Sequence, residues 1–207
     1  MNVYFVRHGE SEGNKLQKAQ NSETPLSTQG RKQASIVANR LKETPIDVLY
    51  SSPYVRAKQT AEIIAKELDK PIEYWEPLKE RKRPSEIEGL NISHPKVRKI
   101  DKTIMENQLK PEWKYSDDES FNELLARARN VTQHLLTHHK DQNVLCVSHS
   151  GIMKMIVLSA ILENKVKPEV FWQLYYHLWS ENTGITHLEC TDKHSWGLLT
   201  WNDTTHL

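Results

Sequence analysis

Short apolar runs alternate with longer amphipathic stretches along this chain. Val3-Tyr4-Phe5-Val6 stops abruptly at Arg7-His8-Gly9 and gives way to Glu10-Ser11-Glu12-Gly13-Asn14. An apolar run before a Gly-containing polar turn reads as a buried strand ending in a loop. Residues 15–25 are polar and read as loop. Ser27 caps a predicted helix whose Ala34, Val37, Ala38 and Leu41 fall at i, i+3, i+4 and i+7. Gly30 in its first turn implies close packing or ligand approach, since glycine costs a helix interior about 1 kcal/mol against alanine. Pro45 ends that helix and residues 46–50 form a second strand. Ser52 then caps a third element with Pro53 at its first helical position, where the missing N–H costs nothing. Its buried stripe is Ala57, Ala61, Ile64 and Leu68, and Arg56 lies outside that stripe, just past the strand's carboxyl end. Residues 71–75 read as a third strand.

The rhythm breaks after Pro77. From Lys79 to about Ser116 the chain is irregular and punctuated by prolines, and reads as an excursion over the carboxyl edge of the sheet, cap-like at about 79–118. Ser116-Asp117-Asp118-Glu119 resembles a capping box ahead of Phe121, Leu124, Leu125, Ala128, Val131 and Leu135, the longest expected helix. Asn143-Val144-Leu145-Cys146-Val147 is a buried strand ending in Ser148-His149-Ser150-Gly151, with a helix carrying Ile152, Met155, Ile156 and Leu162 behind it. A histidine there stands at a helix N-terminus, where backbone N–H groups and the dipole favour an anion. Residues 171–179 are aromatic-rich and fit either helix or strand. Core packing is their simplest role; a subunit interface, hence a homodimer, is the sharper alternative. Residues 184–190 and 196–201 alternate enough for a closing hairpin. The expected fold is α/β: a three-layer sandwich with a mostly parallel central sheet, an antiparallel edge strand or hairpin, and helices on both faces. The 207 residues are expected to form a single domain.

Composition narrows the function classes. With 28 basic against 27 acidic side chains, net charge argues against a general nucleic-acid binder. No apolar run approaches the roughly 20 residues needed to span a bilayer, and the N-terminus has no secretory pattern. Cys146 and Cys190 make neither a disulfide framework nor a metal knuckle, so a reducing cytoplasm is the expected compartment.

Four groups then follow strands or open helices: Arg7, His8, Arg56 and His149. Two guanidinium groups and two imidazoles suit a dianionic tetrahedral group, each charge-assisted hydrogen bond contributing about 1.5–3 kcal/mol. If one imidazole is a nucleophile, it attacks phosphorus in line while the other groups neutralise the equatorial oxygens. Attack needs a neutral ring nitrogen, so the other nitrogen should be held by a backbone carbonyl or similar acceptor. Pattern alone leaves open which histidine attacks. Other chemistries lose. The sixth position after Cys146 is Ile152 and not an arginine, there is no Asp-x-Asp pair, no Walker loop, no dinucleotide glycine fingerprint and no Gly-x-Ser-x-Gly elbow. No metal spacing occurs either, and His138-His139 reads as a solvated pair, so neither metal nor cofactor is expected.

Three stretches closely resemble the histidine phosphatase superfamily, the phosphoglycerate-mutase-like fold. They are Arg7-His8-Gly9-Glu10-Ser11 with Asn14, Ser51-Ser52-Pro53 through Arg56-Ala57 and Gln59-Thr60-Ala61, and Val147-Ser148-His149-Ser150-Gly151. Pro25-Leu26-Ser27-Thr28-Gln29-Gly30 and the terminal Asn202-Asp203-Thr204-Thr205-His206-Leu207 look similar too. The resemblance implies that His8 becomes phosphorylated, that Arg7, Arg56 and His149 bind the phosphoryl group, and that Asn14 and Ser150 support it. It places Glu80 as proton donor to the leaving group, with Glu86 and Glu88 as neighbouring rivals.

The chain departs from the mutase branch in two places. Gly13 stands where mutases carry Trp, followed by a polar stretch instead of a Phe-x-Gly-Trp-like segment, and Lys82-Arg83-Pro84 replaces a His-Tyr-Gly tract. The expected activity is therefore a metal-independent phosphomonoesterase acting on a small phosphorylated metabolite. Phosphoglycerate mutase, a phosphoprotein phosphatase and a non-catalytic phospho-ligand-binding module are the alternatives. Residues 79–102 carry eight Lys/Arg against four Asp/Glu; this excess either favours substrates with extra negative charge or serves surface solubility.

Overall fold

A computed structural model describes residues 1–191 and 195–207. A six-stranded sheet holds β1 (Asn2–Arg7), β2 (Val48–Ser51), β3 (Glu73–Tyr74), β4 (Asn143–Ser148), β5 (Ile185–Cys190) and β6 (Trp196–Asp203) in the order β3-β2-β4-β1-β5-β6. The first four strands run parallel to one another, while β5 is antiparallel to β1 and β6 to β5. The hairpin expected at the end of the chain therefore forms the antiparallel edge. The third strand is much shorter than its predicted range, because both of its residues are exposed and bury no apolar face.

Side chains alternate between two helical layers. Val3, Phe5, Val144 and Cys146 pack under α5 (Phe121–His138), α6 (Ser150–Leu162) and α7 (Pro168–His177). Val6, Leu145 and Val147 face α2 (Thr28–Leu41) and α3 (Val55–Leu68), which contribute Val37, Ala38, Leu41, Ala57, Ala61 and Ile64. A short α1 (Glu12–Lys15) follows the first strand.

Register fixes the functional geometry. β1 and β4 pair Arg7 with Ser148, so the chain leaves both strands at the same height and delivers His8 and His149 side by side. Gly30 resolves as close packing: a Cβ there would stand 1.9 Å from the Glu10 carbonyl oxygen. Residues 71–75 aside, the largest difference from sequence lies in the excursion. It contains α4 (Pro95–Asn107), whose Val97, Ile100 and Ile104 build a small core with Ile87. Residues 168–177 are helical. His139 is buried, bonded to the Tyr50 hydroxyl at 3.0 Å and to Gln142 at 2.6 Å, so the solvated-pair reading fails for it. Among the described residues, no helix is long and apolar enough to cross a membrane.

Candidate active site

A cavity of about 360 Å³ opens beyond the carboxyl ends of β1 and β4, lined at its base by Arg7, His8, Asn14, Arg56 and Glu80. This is the position at which parallel sheets gather ligands.

His8 is only 3% exposed. Its Nδ1 lies 2.7 Å from the Gly9 carbonyl, which can only accept, so Nδ1 carries the proton and Nε2 keeps its lone pair. Burial first, then the Arg56 and Arg7 charges, hold the imidazole well below the ordinary histidine pKa. It is therefore neutral at pH 7, with Nε2 as the nucleophilic atom. Arg56 Nε donates to that atom at 3.2 Å, and the guanidinium also donates to the Asn21 carbonyl at 2.8 Å and lies 5.2 Å above the Tyr54 ring. Burial lowers the Arg56 pKa to about 10, against the opposing pull of Glu80, and the group remains a cation at neutral pH. Arg7 is fixed by a hydrogen bond to the Ser180 carbonyl, while its Nε is buried without a partner.

His149 lies beneath His8, fully buried, with ring centres 5.1 Å apart. Its Nε2 meets Ser52 Oγ at 2.8 Å and its Nδ1 has no partner. Ser52 thus serves this imidazole: α3 begins three residues later, at Val55, with Tyr54 in the cap position, and the cap predicted at Ser52 is absent. Burial first, then the Arg56 charge, depress the His149 pKa as well. With Ser52 Oγ–H donating to Nε2, His149 carries its proton on Nδ1, the buried ring nitrogen without a partner among the described residues.

Glu80 sits at the N-terminus of α6. Its carboxylate accepts from Gly151 N–H (3.2 Å), Ile152 N–H (3.1 Å) and Arg81 N–H (2.8 Å). The anion expected at that helix end is therefore supplied by the protein itself. Gly151 is required here, because a Cβ would come within 2.6 Å of Glu80 Oε1. Arg127, from α5, secures the approach: it donates to the carbonyls of Pro77 (2.9 Å) and Lys79 (2.6 Å) and grips both carboxylate oxygens of Glu119. Of the rival acids, Glu86 pairs with Lys96 at 2.9 Å and does not line the cavity, while Glu88 does line it.

Asn14 uses its carbonyl in the capping box of α1, accepting from Ser11 N–H at 3.1 Å, which leaves its amide nitrogen to donate into the cavity. Ser150 occupies the first turn of α6 and does not line the cavity. The residues that sequence reasoning missed are supports: Ser180, Asn182, whose side chain donates to the His8 carbonyl at 2.8 Å, Ser52 in its imidazole-bonding role, and Arg127. Their only sequence signal is polarity inside otherwise ordinary loop or helix text.

The basic excess of residues 79–102 is largely neutralised. Lys79, Arg81, Lys82, Arg83, Lys96 and Lys102 pair with Glu76, Asp118, Asp117, Asp101, Glu86 and Glu106, leaving Arg98 and Lys99 of the eight. Arg81 and Asp118 form a buried pair at 3.0 Å. Among the described residues, no group of three or more His, Cys, Asp or Glu is placed to hold a metal ion.

The sequence matches the family model of the histidine phosphatase superfamily (branch 1) over residues 3–204. Phosphoglycerate mutase-like protein 4 of Arabidopsis thaliana is 28% identical over 99% of this chain and 86% of its own. A metal-independent phosphoserine phosphatase of the same plant is 27% identical over 99% and 82%. Among solved structures, a mutant phosphoserine phosphatase from Entamoeba histolytica in complex with phosphoserine superposes with a TM-score of 0.82 at 28% identity, covering 100% of this chain and 98% of that one.

Proposed function

The chain belongs to the histidine phosphatase superfamily (branch 1), and from that premise we propose that it is a metal-independent phosphomonoesterase acting on a small phosphorylated metabolite through a phosphohistidine. The observation that carries this reading is a neutral, buried His8 whose Nδ1–H is held by the Gly9 carbonyl, with the buried Arg56 guanidinium donating to its Nε2 and the Arg7 charge also acting on the ring.

In the first half-reaction His8 Nε2 attacks phosphorus in line. The Nε2–P bond forms as the bond from phosphorus to the ester oxygen breaks, and Glu80, entering this step as the carboxylic acid, gives its proton to that oxygen and is left as the carboxylate. Arg7, Arg56, His149 Nδ1–H and the Asn14 amide hold the equatorial oxygens. In the second, the Glu80 carboxylate takes a proton from water while the water oxygen attacks phosphorus; the Nε2–P bond breaks and inorganic phosphate leaves. Ser150 has no part in this scheme, since its side chain lies outside the cavity lining. The excursion, supplying Glu80 through Pro84 to the wall, acts as a cap on the site.

Mutase chemistry fits less well. A Cβ at position 13 would stand 2.3 Å from Gln20 Cγ, so this site is built around a glycine and a glutamine where mutases carry a bulky aromatic residue. Incubation with 3-phosphoglycerate separates the readings: free phosphate is expected, and conversion to the isomer would favour the mutase. His8→Ala should abolish hydrolysis of a generic aryl phosphate, and undiminished turnover would overturn the mechanism. It would also separate the enzyme from a phospho-ligand-binding module, which turns nothing over in either form.

A further inference from the structure

Part of the cavity wall is made by two segments, residues 17–19 and 87–92, zipped together through their backbones. Ala19 N–H donates to the Leu90 carbonyl at 2.9 Å, Gly89 N–H to the Ala19 carbonyl at 2.8 Å, and Ile92 N–H to the Gln17 carbonyl at 2.8 Å. Gln17 and Gly89 take positive φ values, 51° and 76°, that turn the two segments into each other. The ladder fixes the spacing of the side chains it carries. Two of these, Lys18 from one segment and Glu88 from the other, face the cavity.

Their charges stand apart from all the others in the lining. Arg81, Lys82 and Arg83 are each paired with an aspartate of residues 101–118, and Arg7, Arg56 and Glu80 belong to the phosphoryl pole. Among the described residues, neither Lys18 nor Glu88 makes an ion pair, with each other or with any third group. A cation and an anion thus line the cavity from two backbone-locked segments and are unmatched by the protein among the described residues. Their complement is a group bearing both charges in reverse order.

We propose that Lys18 and Glu88 read the alcohol half of the substrate, Lys18 taking a carboxylate and Glu88 an ammonium, so that the enzyme prefers phosphate esters of a hydroxylated amino acid. This inference rests on the phosphomonoesterase reading above and names the substrate class of the same site.

The test uses four small phosphomonoesters: one carrying both ammonium and carboxylate, one with the ammonium alone, one with the carboxylate alone, and an aryl phosphate with neither. Ratios of kcat/KM within each protein cancel differences in active fraction and report selectivity alone. For the native chain the doubly charged ester is expected to exceed each singly charged one by at least about threefold, the scale of an exposed ion pair. Lys18→Ala should erase the contrast between the doubly charged ester and the ammonium-only ester, yet keep the contrast with the carboxylate-only ester. Glu88→Gln should do the reverse. Equal native rates across the charged esters, or variants that keep both contrasts, would overturn the assignment. Failure of the underlying reading looks different: the native chain would then hydrolyse none of the four, the aryl phosphate included.

Discussion

At the scale of single residues, the site depends on two imidazoles kept neutral. Burial and neighbouring guanidinium groups depress both pKa values. Below pH 6.5 the unfolded chain binds protons at these histidines that the native protein does not, so the native state loses stability as pH falls. Above pH 6.5 both states are neutral there and the contribution vanishes. Each histidine adds a slope of up to roughly 1.4 kcal/mol per pH unit. Denaturant unfolding between pH 5 and 7 should therefore be less pH-dependent in His149→Gln than in the native chain, and an identical slope would contradict the neutral assignment. Ser52 orients the His149 ring through its hydroxyl. Ser52→Ala should lower kcat for an aryl phosphate by about tenfold, the cost of one lost hydrogen bond to an orienting group, while Ser52→Thr should restore part of it. Arg7, His8, Arg56 and His149 were all legible in the sequence because each follows a strand or opens a helix. The His8 tautomer and the His149 ring orientation were not, since they depend on the Gly9 carbonyl and the Ser52 hydroxyl meeting the rings in space.

At the scale of elements, the strands and capped helices were readable where one apolar face repeats at a single period. Ser27 and Ser120 cap as side-chain acceptors for Gly30 and Glu123 N–H, although the predicted box placed the second cap four residues early, at Ser116. α4 escaped because its three core residues sit among lysines and face a local cluster of their own and not the sheet. The pairing of that stretch's basic residues was not readable either, since the acidic partners Asp117 and Asp118 lie beyond it in sequence. Glu80 is held by connections between elements. Arg127 ties α5 to the carbonyls on the approach to Glu80, and Ser148 Oγ holds the Leu78 carbonyl at 2.7 Å. Arg127→Met is predicted to cost at least about 2 kcal/mol in urea unfolding, because Glu119 is left partly buried and unpaired. It should also lower kcat more than it raises KM, through displacement of Glu80, the proposed proton donor. A variant with native kcat would show that Glu80 does not depend on this tie.

For the whole molecule, the parallel sheet brings two distant strand ends to one height and lets loops from four regions close over them. Every group in the proposed reaction is a side chain of this fold. Activity should accordingly survive exhaustive chelation, and loss that is restored by added metal would refute the scheme. The central claim is that phosphate passes through His8, and it is tested most directly by trapping that intermediate. The protein should be mixed with excess ester on the millisecond scale, quenched in alkali, which spares phosphohistidine, and its peptides weighed by mass spectrometry. The account predicts one added phosphoryl group on the peptide containing His8, absent from His8→Ala. A phosphoryl group on the His149 peptide, or turnover with no trapped adduct in a quench shown to preserve phosphohistidine, would contradict it.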